Sequence, residues 1–356
     1  MSIRSIAVCG GGHGALAAAG DLTQRGFEVR LALRNRDRFA PVFETGRIRL
    51  EGALDGEVEV ASVTDDHAAA VRGADLVLVP LPAQAQVEVA ERIAPAVGPD
   101  QLVYLTKGTF GATAVRRILG GRVAVSENAI LPYGTRVTGP DSVRVGLLAE
   151  HLPTGVYPAS ATDDVLAAIG RVYPATERAE DVLDASLLNF DPALHAPLVL
   201  MNAGAIEKLP EFDIHTQGNP PSVVAVSIAL DEERIGLREA LGYGPPHWPL
   251  ADLYSRRGET YFGVLTEERM GKQSVWREKI DFRHRYVEED VGYGLALWSS
   301  LGRKLGVPTP VGDALLLLAS IVNGIDYAVE GRTLERLGLA GLAIEELRRG
   351  LRTGDV

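Results

Sequence analysis

Apolar positions fall in short unbroken runs through the first half of the chain and at helical spacing through the second. Residues 5–9, 28–33, 74–82, 101–106 and 122–126 are apolar runs bounded by glycine, proline or charged residues. Runs without alternation predict strands covered on both faces, as in a parallel sheet. Residues 65–71, 84–97, 113–119 and 162–169 carry helical spacing between or after them. Residues 48–50 and 58–61 flank Gly52 and Gly56 and predict a small hairpin insert. Residues 142–147 and 154–158 read as further strands extending the sheet, and 177–181 as an edge segment. From about Asp184 the pattern is helical to the end. The expected architecture is a Rossmann-type, doubly wound α/β sheet over residues 1–184, followed by an all-α domain over residues 185–356. The boundary lies within 182–188.

The turn after the first strand carries the first chemical signal. Gly10, Gly12 and Ala15 fit G-x-G-x-x-A between a strand and an alanine-rich helix. Gly10 permits the tight turn, Gly12 lets backbone approach a pyrophosphate, and Ala15 allows close packing of helix on strand. His13 and Gly14 open that helix, whose first N–H groups and dipole favour phosphate. A glycine pattern alone is weak evidence; its position between strand and helix, with a second strand following, gives it weight. About 20 residues on, an NAD site has Asp or Glu for the ribose 2′-hydroxyl. This chain has Arg34, Asn35 and Arg36 there, a set suited to a 2′-phosphate, because a guanidinium pairs phosphate as a bidentate fork. NADP is therefore the expected cofactor, with NAD the alternative if both arginines are solvated and Asp37 reaches the ribose. Leu81 and Pro82, at the carboxyl end of the run at 74–82, are expected to line the cofactor.

Composition then narrows the function classes. A chain of 356 residues with 46% hydrophobic and 23% charged residues suits two globular domains. Net charge is −11 and no basic run stands out, which argues against a nucleic-acid partner. No run approaches the ~18 apolar residues of a membrane helix, and no apolar leader precedes the first strand. Cys9 is the single cysteine and sits in an apolar strand, so neither an intramolecular disulfide nor a cysteine metal site is expected. No histidine spacing suggests a metal. These features read as a cytoplasmic enzyme, and the apolar helical domain is compatible with a homodimer.

Candidate chemistry lies mostly in the second half. In NFDPALHAPLVLMNAG, helical spacing brings Asn189, His195 and Asn202 toward one face of an apolar segment. Such polar groups are costly there unless satisfied or used. His195 is therefore either a hydrogen-bonded core histidine or a proton relay. The segment RHRYVEEDVGYG supplies Arg285, Glu289 and Asp290, and it also reads as a charged helix entry. In SENAILPYGTR, the residues Tyr133, Thr135 and Arg136 either contact an amino acid or form a packed turn. His215 and His284 are expected to be solvated.

The chain resembles the opine dehydrogenases, the octopine/nopaline dehydrogenase family, over nearly its whole length. The segments that carry the resemblance are GGGHGALAAA, SENAILPYGTR, NFDPALHAPLVLMNAG, RYVEEDVGYGLALWSSLGRKLGVPTP and GRTLERLGLAG. It implies an α/β cofactor domain followed by a helical domain, with substrate between them. It further implies His195 as catalytic acid/base, Asp290 as its partner, Arg285 near the carboxylate of a 2-oxo acid and Asn202 as a supporting polar group. The implied reaction joins an amino acid to a 2-oxo acid such as pyruvate, using NAD(P)H, to give an N-(1-carboxyalkyl) amino acid. Two competing expectations are a 2-oxo acid or ketopantoate-like reductase that needs no amine, and a non-catalytic dinucleotide sensor.

Overall fold

In the computed structural model, which describes residues 2–255, 258–265 and 280–356, the chain divides into two compact units. Met1–Ser186 with Gly350–Val356 form the first, and Leu187–Arg349 the second. The last seven residues thus return to the α/β unit instead of staying with the helical one.

The first unit is built on β1 (Ser5–Cys9), α1 (His13–Gln24), β2 (Glu28–Ala32), α2 (Ala40–Thr45), β3 (Arg47–Gly52), β4 (Gly56–Glu59) and β5 (Ser62–Thr64). It continues through α3 (His67–Val71), β6 (Leu76–Val79), α4 (Gln86–Ile93), β7 (Leu102–Leu105), α5 (Ala112–Ile118) and β8 (Ala124–Asn128). After these come β9 (Tyr133–Gly139), β10 (Ser142–Leu148), β11 (Leu152–Tyr157), α6 (Thr162–Val172) and β12 (Thr176–Arg178). Eight strands form one sheet in the order β12-β11-β8-β7-β6-β1-β2-β5. The pairings from β5 across to β8 are parallel, and β11 enters antiparallel to β8. The four residues of β6, Leu-Val-Leu-Val, are all buried, as an unbroken apolar run requires. Each such side chain contributes about 1.5–3 kcal/mol by leaving water.

β1 pairs with β2 on one side and β6 on the other, so the topological switch point lies at the carboxyl ends of β1 and β6. A second sheet, β4-β3-β10-β9, corrects the expectation that residues 142–147 extend the main sheet. β10 instead runs parallel to β3, placing the β3–β4 hairpin in the same layer. The alternating burial of β3 shows a strand with only one face covered.

The helical unit follows α7 (Val182–Leu188), which carries the chain out of the first unit. It contains α8 (Asp191–Leu200), α9 (Ala203–Lys208), α10 (Ile214–Gln217), α11 (Pro221–Ala240), α12 (Leu250–Ser255) and α13 (Arg285–Glu288). A π-helical turn, Asp290–Leu295, leads into α14 (Ala296–Leu305), which α15 (Pro310–Asn323) and α16 (Tyr327–Glu330) follow; α17 (Ile344–Thr353) begins in this unit, and its residues from Gly350 on belong to the first. Proline opens α8, α11 and α15, where its missing N–H costs nothing. α11 buries Val223, Ser227, Leu230, Arg234, Leu237 and Arg238 on one face. Arg234 is fully buried, yet it pairs with Asp231 at 2.6 Å and donates to the carbonyls of Leu187 and His247 at 2.7 and 2.8 Å. Buried charge is tolerable only when satisfied in this way.

Candidate active site

Close packing at one glycine sets up the second unit's polar centre. In the π-helical turn the Gly294 N–H reaches the Glu289 carbonyl five residues back, at 3.2 Å. A Cβ on Gly294 would stand 2.4 Å from Pro192 Cγ, so only glycine lets this turn lie so close to the start of α8. Asp290, at the head of the turn, and His195, in the middle of α8, meet as a result. His195 Nδ1 lies 2.7 Å from Asp290 Oδ2, with side-chain exposures of 7% and 1%. An ionised carboxylate can only accept, so Nδ1 carries the hydrogen of this bond and Nε2 is the nitrogen left for proton transfer.

Three neighbours complete the centre. The Tyr286 ring stacks on the His195 imidazole with centroids 3.6 Å apart and planes 13° apart. Its hydroxyl meets His215 Nε2 at 3.2 Å, and His284 lies edge-on to its ring at 4.4 Å. Arg285 covers the Tyr286 ring at 4.9 Å and lies 3.9 Å from Glu289. Burial pulls the Arg285 guanidinium down, but Tyr286, Asp290, Glu289 and Asp191 around it more than reverse this and hold it charged. About a third of its side chain remains exposed, so it can meet an incoming anion. Asp191, one turn before His195 on α8, brings a carboxylate oxygen to the pair. Asp191, His195 and Asp290 each place one ligand-type atom within 4.8 Å of the others, a group among the described residues that could hold a divalent cation.

Several expectations change here. The polar stripe does not lie on one helix, because α8 spans only Asp191–Leu200. Asn189 precedes it and accepts the Asp191 N–H at 3.0 Å. Asn202 follows it and donates to the Leu198 and Gly218 carbonyls at 2.7 and 2.8 Å, bracing a helix end. His215 and His284 are half-buried partners of Tyr286, not solvated residues. Tyr286 itself was not singled out by the sequence; its stack on His195 spans most of a hundred residues and leaves no local pattern.

Tyr133 makes packing contacts. It is 3% exposed in β9, its hydroxyl donates to Asp21 Oδ2 on α1 at 2.7 Å, and its ring meets Tyr173 edge-on. Arg136, half-buried on the same strand, donates to the Thr135 carbonyl at 3.0 Å. Thr135 in turn donates its hydroxyl to the Arg144 carbonyl.

At the switch point of the first unit, Gly10 has φ +141°, a conformation that favours glycine, and a Cβ there would meet Leu81 at 2.6 Å. Leu81 therefore packs on the turn. A Cβ on Gly11 would strike Phe39 at 2.7 Å, so the second glycine is needed too, a constraint the G-x-G-x-x-A pattern does not contain. Gly12 faces open space and caps α1 without a side-chain bond, which leaves room for a phosphate at the helix terminus. Gly14 is pressed by Leu131, and Ala15 is fully buried. His13 accepts the Val137 N–H on Nδ1 at 2.7 Å and so ties α1 to β9. These residues fit a dinucleotide.

Past β2, Arg34 pairs with Glu88 at 3.1 Å and Arg36 with Asp65 at 2.9 Å, all four side chains being largely exposed. Asn35 accepts the Arg38 N–H at 2.9 Å and shapes the loop. Surface pairs of this kind are weak and exchange readily for a multiply charged phosphate.

Comparison with known proteins agrees with both halves. Residues 178–323 match the family described as NAD/NADP octopine/nopaline dehydrogenase, alpha-helical domain. Residues 6–147 match ketopantoate reductase PanE/ApbA. An opine dehydrogenase of Arthrobacter sp. (strain 1C) is 32% identical over 353 residues, covering 97% of this chain and 98% of that one. A vitopine synthase of Allorhizobium ampelinum is 26% identical, covering 94% and 96%. Among solved structures, octopine dehydrogenase with NADH and agmatine aligns at TM-score 0.74 with 20% identity, over 99% and 98% of the two chains. NADP+-bound yersinopine dehydrogenase aligns at 0.68 with 16% identity, over 99% and 98%. The chain belongs to the opine dehydrogenase family and is an NAD(P)-dependent oxidoreductase.

Proposed function

We propose that this enzyme condenses an amino acid with a 2-oxo acid such as pyruvate and reduces the product to an N-(1-carboxyalkyl) amino acid, with NADPH preferred over NADH. The buried His195–Asp290 bond with Arg285 beside it carries this reading. Arg285 receives the 2-oxo acid carboxylate, since a guanidinium already held charged by its neighbours gains a bidentate partner. His195 Nε2 takes a proton from the substrate ammonium, freeing the nitrogen lone pair to attack the keto carbon. It then returns that proton to the carbinolamine hydroxyl, which leaves as water and gives the iminium. Asp290 fixes the imidazole through Nδ1 and balances its positive charge while the proton is held. The cofactor, when bound at the glycine turn, supplies the hydride that reduces the iminium carbon. Gly10, Gly12, His13, Gly14 and Ala15 form that turn, Leu81 and Pro82 its neighbouring wall. Arg34 and Arg36, with Asn35 between them, take the 2′-phosphate. Arg136 would serve the amino acid carboxylate.

The same reading keeps the enzyme in the cytoplasm, supported by its lone, buried cysteine. It also pairs two copies through the outer face of α15, where Leu317, Leu318, Ile321 and Val322 are exposed. No helix among the described residues is long and apolar enough to cross a membrane.

The experiment is cofactor oxidation with pyruvate, alone and with each member of an amino acid panel that includes arginine. A requirement for both substrates is expected. Oxidation with the 2-oxo acid alone overturns the reading in favour of a ketopantoate-type reductase, which the match over residues 6–147 supports.

A further inference from the structure

We propose that Asp191 is the group that binds the amine of the amino acid substrate, as ammonium before reaction and as iminium after water is lost. The inference rests on the reaction proposed above. Asp191 opens α8 four residues before His195, so the two side chains share a face of the helix. One of its carboxylate oxygens lies within 4.8 Å of the ligand atoms of both His195 and Asp290. The two carboxylates differ in setting. Asp290 is buried and committed to His195 Nδ1, whereas Asp191 is half-buried. The Asp191 backbone N–H donates to Asn189 Oδ1, which sets the residue's place at the start of the helix.

Charge gives the argument its direction. Among the described residues, the carboxylates of Asp191, Asp290 and Glu289 all act on the Arg285 guanidinium, Glu289 at 3.9 Å. Both substrates bring a carboxylate, and a third acidic side chain at the proton-relay histidine repels them. Asp290 already answers the imidazolium that forms on His195, so a second carboxylate at the same place suits a further cation. The reaction offers two, the ammonium and the iminium, and both carry the nitrogen that must lie next to His195. A simple 2-oxo acid reduction offers neither.

The test compares wild type, D191N and D191E, each as the full chain, under saturating NADPH. Michaelis constants are measured for pyruvate and for the best amine of the panel, and calorimetry measures that amine's binding to the NADPH-loaded protein. D191N is expected to raise the amine KM and Kd by about tenfold to a hundredfold, the range a charge-assisted hydrogen bond controls. The pyruvate and NADPH constants should stay within about twofold, and D191E should recover most of the amine affinity. A carboxylate that merely complements the dipole of α8 would change thermal stability and leave the amine constants alone. Unchanged amine constants in D191N, or an equal rise in the pyruvate constant, overturn the proposal. If D191N does not fold, D191E decides: a tenfold loss of pyruvate affinity with intact amine affinity overturns it as well. Wild-type turnover of pyruvate without any amine would instead sink the reaction on which the proposal stands.

Discussion

Replacing Asp290 by Asn changes a charge at constant volume and therefore isolates what the carboxylate does for His195. The bond between them is 2.7 Å and both groups are nearly excluded from water. When His195 holds a proton during the reaction, the two charges stand about 4 Å apart, centre to centre. At an effective dielectric of about 20 their attraction is about 4 kcal/mol. Since each ~1.4 kcal/mol is a factor of ten in rate, D290N should lower kcat by about 10³-fold. His195→Ala removes the relay itself and should cost about 10²–10⁴-fold. In the proposed reaction the two residues act as one unit, so H195A/D290N should be no slower than the slower single variant.

The assay is steady-state NADPH oxidation with saturating pyruvate and amine, with cofactor affinity measured separately by fluorescence titration. Cofactor affinity should not change, because the glycine turn belongs to the other unit. The thermal midpoint of D290N should stay within about 5 °C of wild type. A D290N enzyme that keeps more than about a tenth of its activity while H195A is crippled would refute electrostatic support by Asp290. Multiplying losses in the double variant would refute the shared role.

Two further outcomes follow from the first unit. Arg34→Ala with Arg36→Ala should raise the KM for NADPH by more than about tenfold and leave that for NADH nearly unchanged, because only NADPH carries the 2′-phosphate; equal effects on both cofactors would return the two arginines to their ion pairs with Glu88 and Asp65. Burial pushes the Cys9 thiol up from 9.0 to about 12. The folded value lies above the unfolded one, so the buried thiol's contribution to stability is complete below about pH 9 and fades as pH rises toward 12. Native protein at pH 8 should therefore resist a thiol reagent that labels it at once in denaturant, and rapid labelling of the native form would contradict the burial of Cys9.

What could be read from the sequence follows from the range of the interactions involved. The strand, glycine turn and helix at the start are local, and each residue there answers to a neighbour a few positions away. Even so, Gly11 escaped the motif, because its constraint comes from Phe39 beyond the second strand. The second sheet was illegible for the same reason. Ser142 pairs with Arg49, a parallel register between segments separated by about half of the α/β unit. Local pattern left Tyr133 open between an amino acid contact and a packed turn, because its partners are distant: the second half of SENAILPYGTR is β9, pinned to α1 by the Tyr133–Asp21 and Val137–His13 bonds.

The His195–Asp290 pair spans 95 residues, so spacing could nominate its members but never join them. Family resemblance supplied that link, and the physical cause became visible only in the fold. Gly294 is small enough to let Pro192 approach, and the π-helical turn moves Asp290 into line with His195. Bulk at position 294 should thus behave like D290N, lowering kcat without touching the relay or its carboxylate. Packing at that glycine and the His195–Asp290 bond are two consequences of one contact.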